Sequence, residues 1–230
     1  LMAVASFFEA RRNGQNPFAA RLSDVGDVRK RVWSFLFSTN VESTVKTVSG
    51  KVDVLLLAII ATPAAVAIYK VATRIAGTLL LFSDPLLMAV YPEMSRADAE
   101  GKMAEMQRLL RGMTRWLIAV GGVGIGIFAL FGRDLLEWLA GADYAAAHPA
   151  ALIMTIGTSL AMIFFWARPL LLVRGRSRAL VGVVSVAAAT QFLLFALLAP
   201  SLGPIGGAIG YGAFFATSAL GCLWLLRTNQ

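Results

Sequence analysis

The chain has 230 residues, of which 58% are hydrophobic and only 15% charged, with a net charge of +8 and a mean hydropathy of +0.72. A water-soluble domain of this length does not carry that balance, whereas an all-α polytopic membrane protein does. A lone cysteine, Cys222, and a lone histidine, His148, exclude a disulfide framework, a thiolate or imidazole metal site and a histidine-based catalytic pair, so neither metal nor cofactor is expected.

Leu1 to Phe8 is an apolar run too short to span a bilayer and reads as neither a signal peptide nor an anchor. It is expected to be the end of a preceding helix, which makes the chain the later part of a longer protein. Residues 9–31 carry Arg11, Arg12, Arg21, Arg29, Lys30 and Arg31 among Gly, Asn, Gln and Pro, the composition of a cytoplasmic connection on the membrane surface. Residues 1–31 thus precede a six-helix bundle over 32–226, and 227–230 form a tail.

The first span, about 33–59, is long enough to cross a hydrocarbon core of about 30 Å, yet it is charged. At about 100° per residue, Thr39, Glu42, Lys46, Ser49 and Asp53 fall on one helical face, and Asn40, Thr44, Thr47 and Lys51 on another. Lipid is left only the stripe of Val41, Val45, Val48 and Val52. Because a charge at the bilayer centre costs about 2.5 to 3.5 kcal/mol or more, the polar faces must meet protein or water. This helix is expected to wall a hydrated cavity.

The second span, about 64–91, is interrupted by Asp84-Pro85, where the missing amide donor predicts a kink, and it places Lys70 and Arg74 one turn apart. Pro92 to Arg115 is polar and basic with Met103, Met106, Leu110 and Met113 at helical spacing, the pattern of an interfacial amphipathic helix. The third span, about 116–131, carries Gly122 and Gly126, a small-xxx-small pair that lets another helix approach. A loop with Arg133, Asp134, Glu137 and Asp143 leads to the fourth span, about 147–173. Its Arg168 lies near the cytoplasmic end and is expected to snorkel. The fifth span, about 179–198, and the sixth, about 205–226, flank a turn from Pro200 to Gly207.

Counted loop by loop, Lys plus Arg number six before the first span, then none, five, one, three and none, with Arg227 at the end. This alternation is the positive-inside pattern and predicts that both ends of the chain are cytoplasmic. In a soluble protein the basic excess would suggest nucleic acid; between apolar spans its expected partner is the anionic lipid surface, and no nucleic acid.

The ordered set Asp53, Tyr69 with Ala72, Pro92 with Ser95, Gly141 with Tyr144, and Gly203, Gly206 and Gly207 resembles the C-terminal half of a polysaccharide or lipid-linked oligosaccharide flippase. Such proteins belong to the multidrug/oligosaccharidyl-lipid/polysaccharide exporter superfamily, with the fold of the multidrug and toxin extrusion transporters. The resemblance implies one bundle of a two-bundle transporter with twelve or more helices in the inner (plasma) membrane, whose other partner is a six-helix N-terminal half. It implies a carrier that moves a polyprenyl-pyrophosphate-linked oligosaccharide from the cytoplasmic to the outer leaflet by alternating access.

The residues point to the same substrate class. Within the spans, Lys46, Lys70, Arg74 and Arg168 outnumber Glu42 and Asp84, with Lys51 and Asp53 nearer the outer end. A pyrophosphate cannot cross hydrocarbon unpaired, and Lys or Arg in a low-dielectric pocket supplies charge-assisted hydrogen bonds to it. The candidate substrate-binding residues are Lys46, Lys70, Arg74, Asn40, Glu42 and Asp53; Glu42, Asp53 and Asp84 are the candidates for ion coupling. The competing reading of these charges is a structural network, with Glu42 paired to Lys46 one turn away. A multidrug exporter of the same fold is the alternative function, disfavoured by a basic cavity. A membrane-embedded saccharide-processing enzyme is less favoured still, because the outer loops are short and His148 and Asp143 have no nucleophile beside them.

Overall fold

The described residues of the computed structural model are 25–81 and 83–228. All of their regular structure is helical. The chain divides into two units, residues 1–40 and residues 41–230, and the packed helices and their cores belong to the second. The expected apolar run at 1–8 and most of the connection at 9–31 lie outside the described residues.

The first helix of the described residues, α1, runs over Val25–Ile60, so Arg29, Lys30 and Arg31 are helical rather than part of a loop. Thr62 follows as a cap, its Oγ1 accepting the Ala65 N–H at 3.3 Å. Pro63, whose ring presets the helical φ and whose missing donor costs nothing in a first turn, opens α2, Pro63–Leu81. The next helix, α3, spans Ser83–Ala99. Pro85 lies in the first turn of α3; residue 82, between α2 and α3, lies outside the described residues, and the expected kink with it.

Two expectations for the following segment are corrected. Helix α4 runs unbroken over Met103–Ala140. Thus the Met row does not form a separate interfacial helix, and Arg133, Asp134 and Glu137 lie in helix rather than loop. At about 1.5 Å per residue, the 38 residues of α4 exceed any bilayer core, and its charged ends project beyond it. The Met row faces inward: Met106 and Leu110 are buried, with Met103 and Met113 packed beside them.

After Gly141 a 3-10 segment, Ala142–Ala147, leads into α5, His148–Ile163. Asp143 lies in that 3-10 segment, and His148 begins α5, where Nε2 meets the Phe128 carbonyl at 3.0 Å. Then come α6, Ala167–Val173, α7, Ser177–Leu202, and α8, Pro204–Arg227. The expected turn over 200–207 shrinks to Gly203, whose φ of 55° and ψ of −127° suit glycine alone. Pro200 lies inside α7 and Pro204 opens α8.

Among the described residues, five helical runs are long and apolar enough to cross a membrane: Pro63–Ala99, Met103–Ala140, Ala142–Val173, Ser177–Leu202 and Pro204–Arg227. Of the six expected spans, the first is not among them. Its 36 residues suffice in length; apolarity is what it lacks.

The bundle is welded at backbone level. A methyl group on Gly157 of α5 would lie 2.5 Å from the Cα of Gly212 in α8, and one on Gly206 would strike the Leu198 backbone of α7. Close approach of this kind, rather than hydrophobicity, is what holds helices together where lipid is as apolar as leucine. In contrast, a methyl on Gly122 or Gly126 meets nothing within 4 Å, so the small-residue pair of α4 has no partner helix among the described residues. Around it Val123, Ile127 and Leu130 are exposed, as lipid-facing residues are.

Two apolar cores result. One gathers Leu57, Tyr69, Met154, Val184, Phe195 and Tyr211; the other gathers Met94, Leu110, Phe165, Leu171, Leu180 and Leu226. The polar face of α1 lies beside their junction.

Candidate functional site

In an apolar setting a helix can satisfy short polar side chains on itself. Thr39 donates to the Phe35 carbonyl, Asn40 to that of Leu36 at 2.8 Å, and Thr47 to that of Ser43 at 2.8 Å. Carboxylates have no such option. Glu42, Ser49 and Asp53, all on the predicted face, are each 1% exposed or less, and each is met by a different helix.

Glu42 is ion-paired with Arg168 at the start of α6. The snorkelling expected of Arg168 is thereby corrected: its NH2 turns inward to the buried carboxylate, while the Arg168 Nε is buried with no partner among the described residues. At Ser49 the backbone carbonyl accepts a hydrogen bond from the amide of the buried Gln191 in α7 at 3.0 Å. Asp53 accepts one from the Tyr69 hydroxyl of α2 at 2.6 Å and another from its neighbour Val54 N–H at 2.7 Å. The Tyr69 ring is admitted by the absence of a side chain on Gly207, where a Cβ would come 2.7 Å from Cε2. The buried carboxylates of Glu42 and Asp53, one ion-paired and one hydrogen-bonded, meet the condition under which polar side chains tolerate a low-dielectric site, whereas the buried Ser49 hydroxyl has no hydrogen-bond partner among the described residues.

Beside this clamp lie two cavities that share wall residues. The smaller, about 140 Å³, is lined by Glu42, Lys46, Ser83, Phe165, Arg168 and Cys222 among others. A larger one, about 540 Å³, is lined by Lys46, Thr73, Arg74, Thr78, Gln191 and Tyr211 with neighbouring apolar groups. Lys46, Leu80, Phe214 and Phe215 border both.

Lys46 borders both cavities, with Glu42 on the smaller and Arg74 on the larger. Lys70, one turn from Arg74, is exposed and borders neither cavity. Asp53 is sealed behind Tyr69 in the first core. Asn40 is exposed and bonded to its own helix. The side chain of Asp84 lies outside the described part of the structure. Arg168, Tyr69 and Gln191 were not among the expected site residues; the first two could have been sought as complements to the acids of α1, while nothing in the sequence marks Gln191. Among the described residues no group of three or more His, Cys, Asp or Glu comes together.

The chain is similar to inner membrane protein YghQ of Escherichia coli (strain K12), at 28% identity over 141 residues, which is 60% of this chain and 38% of that protein. The match therefore spans well under half of the relative's length. No protein-family profile matches the chain, and no solved structure matches it significantly.

Proposed function

We propose that this bundle is part of an inner-membrane flippase that carries a polyprenyl-pyrophosphate-linked oligosaccharide across the bilayer, with Lys46 and Arg74 binding the pyrophosphate. The similarity to an inner membrane protein of E. coli supports the location. The observation that carries the reading is the charge around the two adjoining cavities. Three cations border them, Lys46, Arg74 and Arg168, against one acid, Glu42, which is already ion-paired with Arg168. A net positive, aromatic-walled space among apolar helices suits a diphosphate anion attached to a lipid tail. It repels the organic cations that a drug exporter would take. The remaining transporter parts, including a second bundle, belong to this proposal.

The test is made in the full-length protein. Lys46→Ala and Arg74→Ala are each expected to block surface polysaccharide export and to leave lipid-linked precursor accumulating on the inner face, with normal amounts of protein in the membrane. Undiminished export in both variants overturns the assignment.

A further inference from the structure

At the end of the bundle opposite the Asp53–Tyr69 contact, three helical stripes converge on a pocket that shares no residue with the two cavities bordered by Lys46. On α4, Gln107, Leu110 and Arg111 lie three and four residues apart and so face one way. Around α6, Trp166, Leu170 and Arg174 repeat at four-residue intervals. On α8, Leu226 and Arg227 lie three and four residues after Leu223 and share its face at the last turn. Each stripe ends in an arginine. Together they enclose about 230 Å³.

The chemistry is layered. Leu110, Leu170 and Leu226 are buried and form an apolar floor. Trp166 stands at the edge, its indole N–H donating to the Thr114 hydroxyl at 2.9 Å, which fixes an amphipathic ring at the level where one end is apolar and the other wet. The rim is Arg111, Arg174 and Arg227, from three different segments. None of the three has an acid partner among the described residues, and no Asp or Glu lines the pocket. Arg111 gives only its Nε to a backbone carbonyl of its own helix, that of Gln107, at 3.3 Å. A fourth arginine nearby is already committed, since Arg176 donates to the Leu225 carbonyl at the end of α8.

Three like charges brought together by folding repel one another, and an anion between them removes that cost. Guanidinium forks match phosphate oxygens in geometry as well as charge. A soluble anion makes no use of the leucine floor or the tryptophan, whereas a phospholipid places its phosphate at the rim and its glycerol and first methylenes below. From this we propose that the pocket is a binding site for an anionic glycerophospholipid, of the phosphatidylglycerol class, in the leaflet at the basic end of the bundle. The bound lipid ties α4, α6 and α8 together there. This site is separate from the proposed substrate cavity and does not depend on it.

The experiment uses the full-length protein purified in neutral detergent, whose melting midpoint is followed as phosphatidylglycerol, phosphatidylcholine or inorganic phosphate is added. Phosphatidylglycerol is expected to raise the midpoint on the order of 5 °C at a hundredfold excess over its dissociation constant, and the rise is expected to shrink in high salt. Phosphatidylcholine and phosphate are expected to leave it unchanged. The triple variant Arg111→Gln/Arg174→Gln/Arg227→Gln is expected to lose the response, while Lys46→Ala/Arg74→Ala keeps it. An equal rise with phosphate alone, an equal rise with phosphatidylcholine, or a full response in the triple variant each overturns the proposal. Should the triple variant not fold, the amount of anionic lipid that co-purifies with Arg227→Gln, counted by native mass spectrometry, decides instead: fewer bound lipids than wild type supports the site, and an equal number overturns it.

Discussion

Arg168 and Glu42 stand 126 positions apart in the chain and form an ion pair that fastens the start of α6 to the polar face of α1. The two partners are unequal, because Glu42 is 1% exposed and the Arg168 side chain 38%. Arg168→Ala leaves the buried Glu42 carboxylate without its ion-pair partner, a loss of about 3 to 5 kcal/mol. Glu42→Gln leaves a long cation that can still reach solvent, and is expected to cost clearly less. The double variant Glu42→Gln/Arg168→Met is expected to lie close to wild type. Thermal midpoints of the three proteins in one detergent check the order.

A second buried contact predicts a smaller effect. Tyr69→Phe keeps the ring packed against Gly207 and removes only the donor to Asp53, leaving one carboxylate oxygen short of a partner at about 1 to 3 kcal/mol. Asp53→Asn keeps an acceptor for the tyrosine, and is expected to be the milder of the two in the same melting assay.

Glycine substitutions separate contact from composition. Gly157→Ala forces a methyl onto the backbone of Gly212 and is expected to destabilise by about 1 to 3 kcal/mol. Gly122→Ala and Gly126→Ala put theirs where nothing lies within 4 Å, and within this chain are expected to change stability by under about 0.5 kcal/mol.

The cations of the second span are expected to separate functionally. Arg74→Ala removes a charge-assisted hydrogen bond to the proposed substrate, and a loss of about 1.5 to 3 kcal/mol corresponds to a drop in export of roughly 10- to 150-fold. Lys70 borders neither cavity, so Lys70→Ala is expected to leave export within about twofold of wild type. A vesicle flipping assay on both variants reads the difference.

The single cysteine reports on the smaller cavity. Cys222 is 4% exposed and borders that cavity with Glu42 and Arg168. Methyl methanethiosulfonate is expected to modify it in the folded protein, whereas a bulky maleimide modifies it only after denaturation. Mass spectrometry of the intact chain counts the adducts.

Much of this arrangement is legible in the residues alone. The spacing of Glu42, Ser49 and Asp53 places them on one face of α1, because helical period is a local property. The partners of that face are not legible: Arg168 and Gln191 reach it through tertiary packing of α6 and α7, which no local pattern encodes. The ends of α4 mislead for a different reason. Hydropathy marks where an apolar run stops, and Arg133, Asp134 and Glu137 stop it, yet Arg and Glu are sound helix formers once outside the bilayer. The same distinction explains the first helix, which is long enough to span but too polar to be recognised by apolarity.

The contact between Gly157 and Gly212 has a mechanical consequence. Side chains can slide past one another by changing rotamer, but two main chains in direct touch have no such slack, so α5 and α8 cannot shear without first separating. Whatever motion the bundle undergoes, these two helices travel as a single strut, and bending is left to segments whose neighbours are held only by side-chain tips.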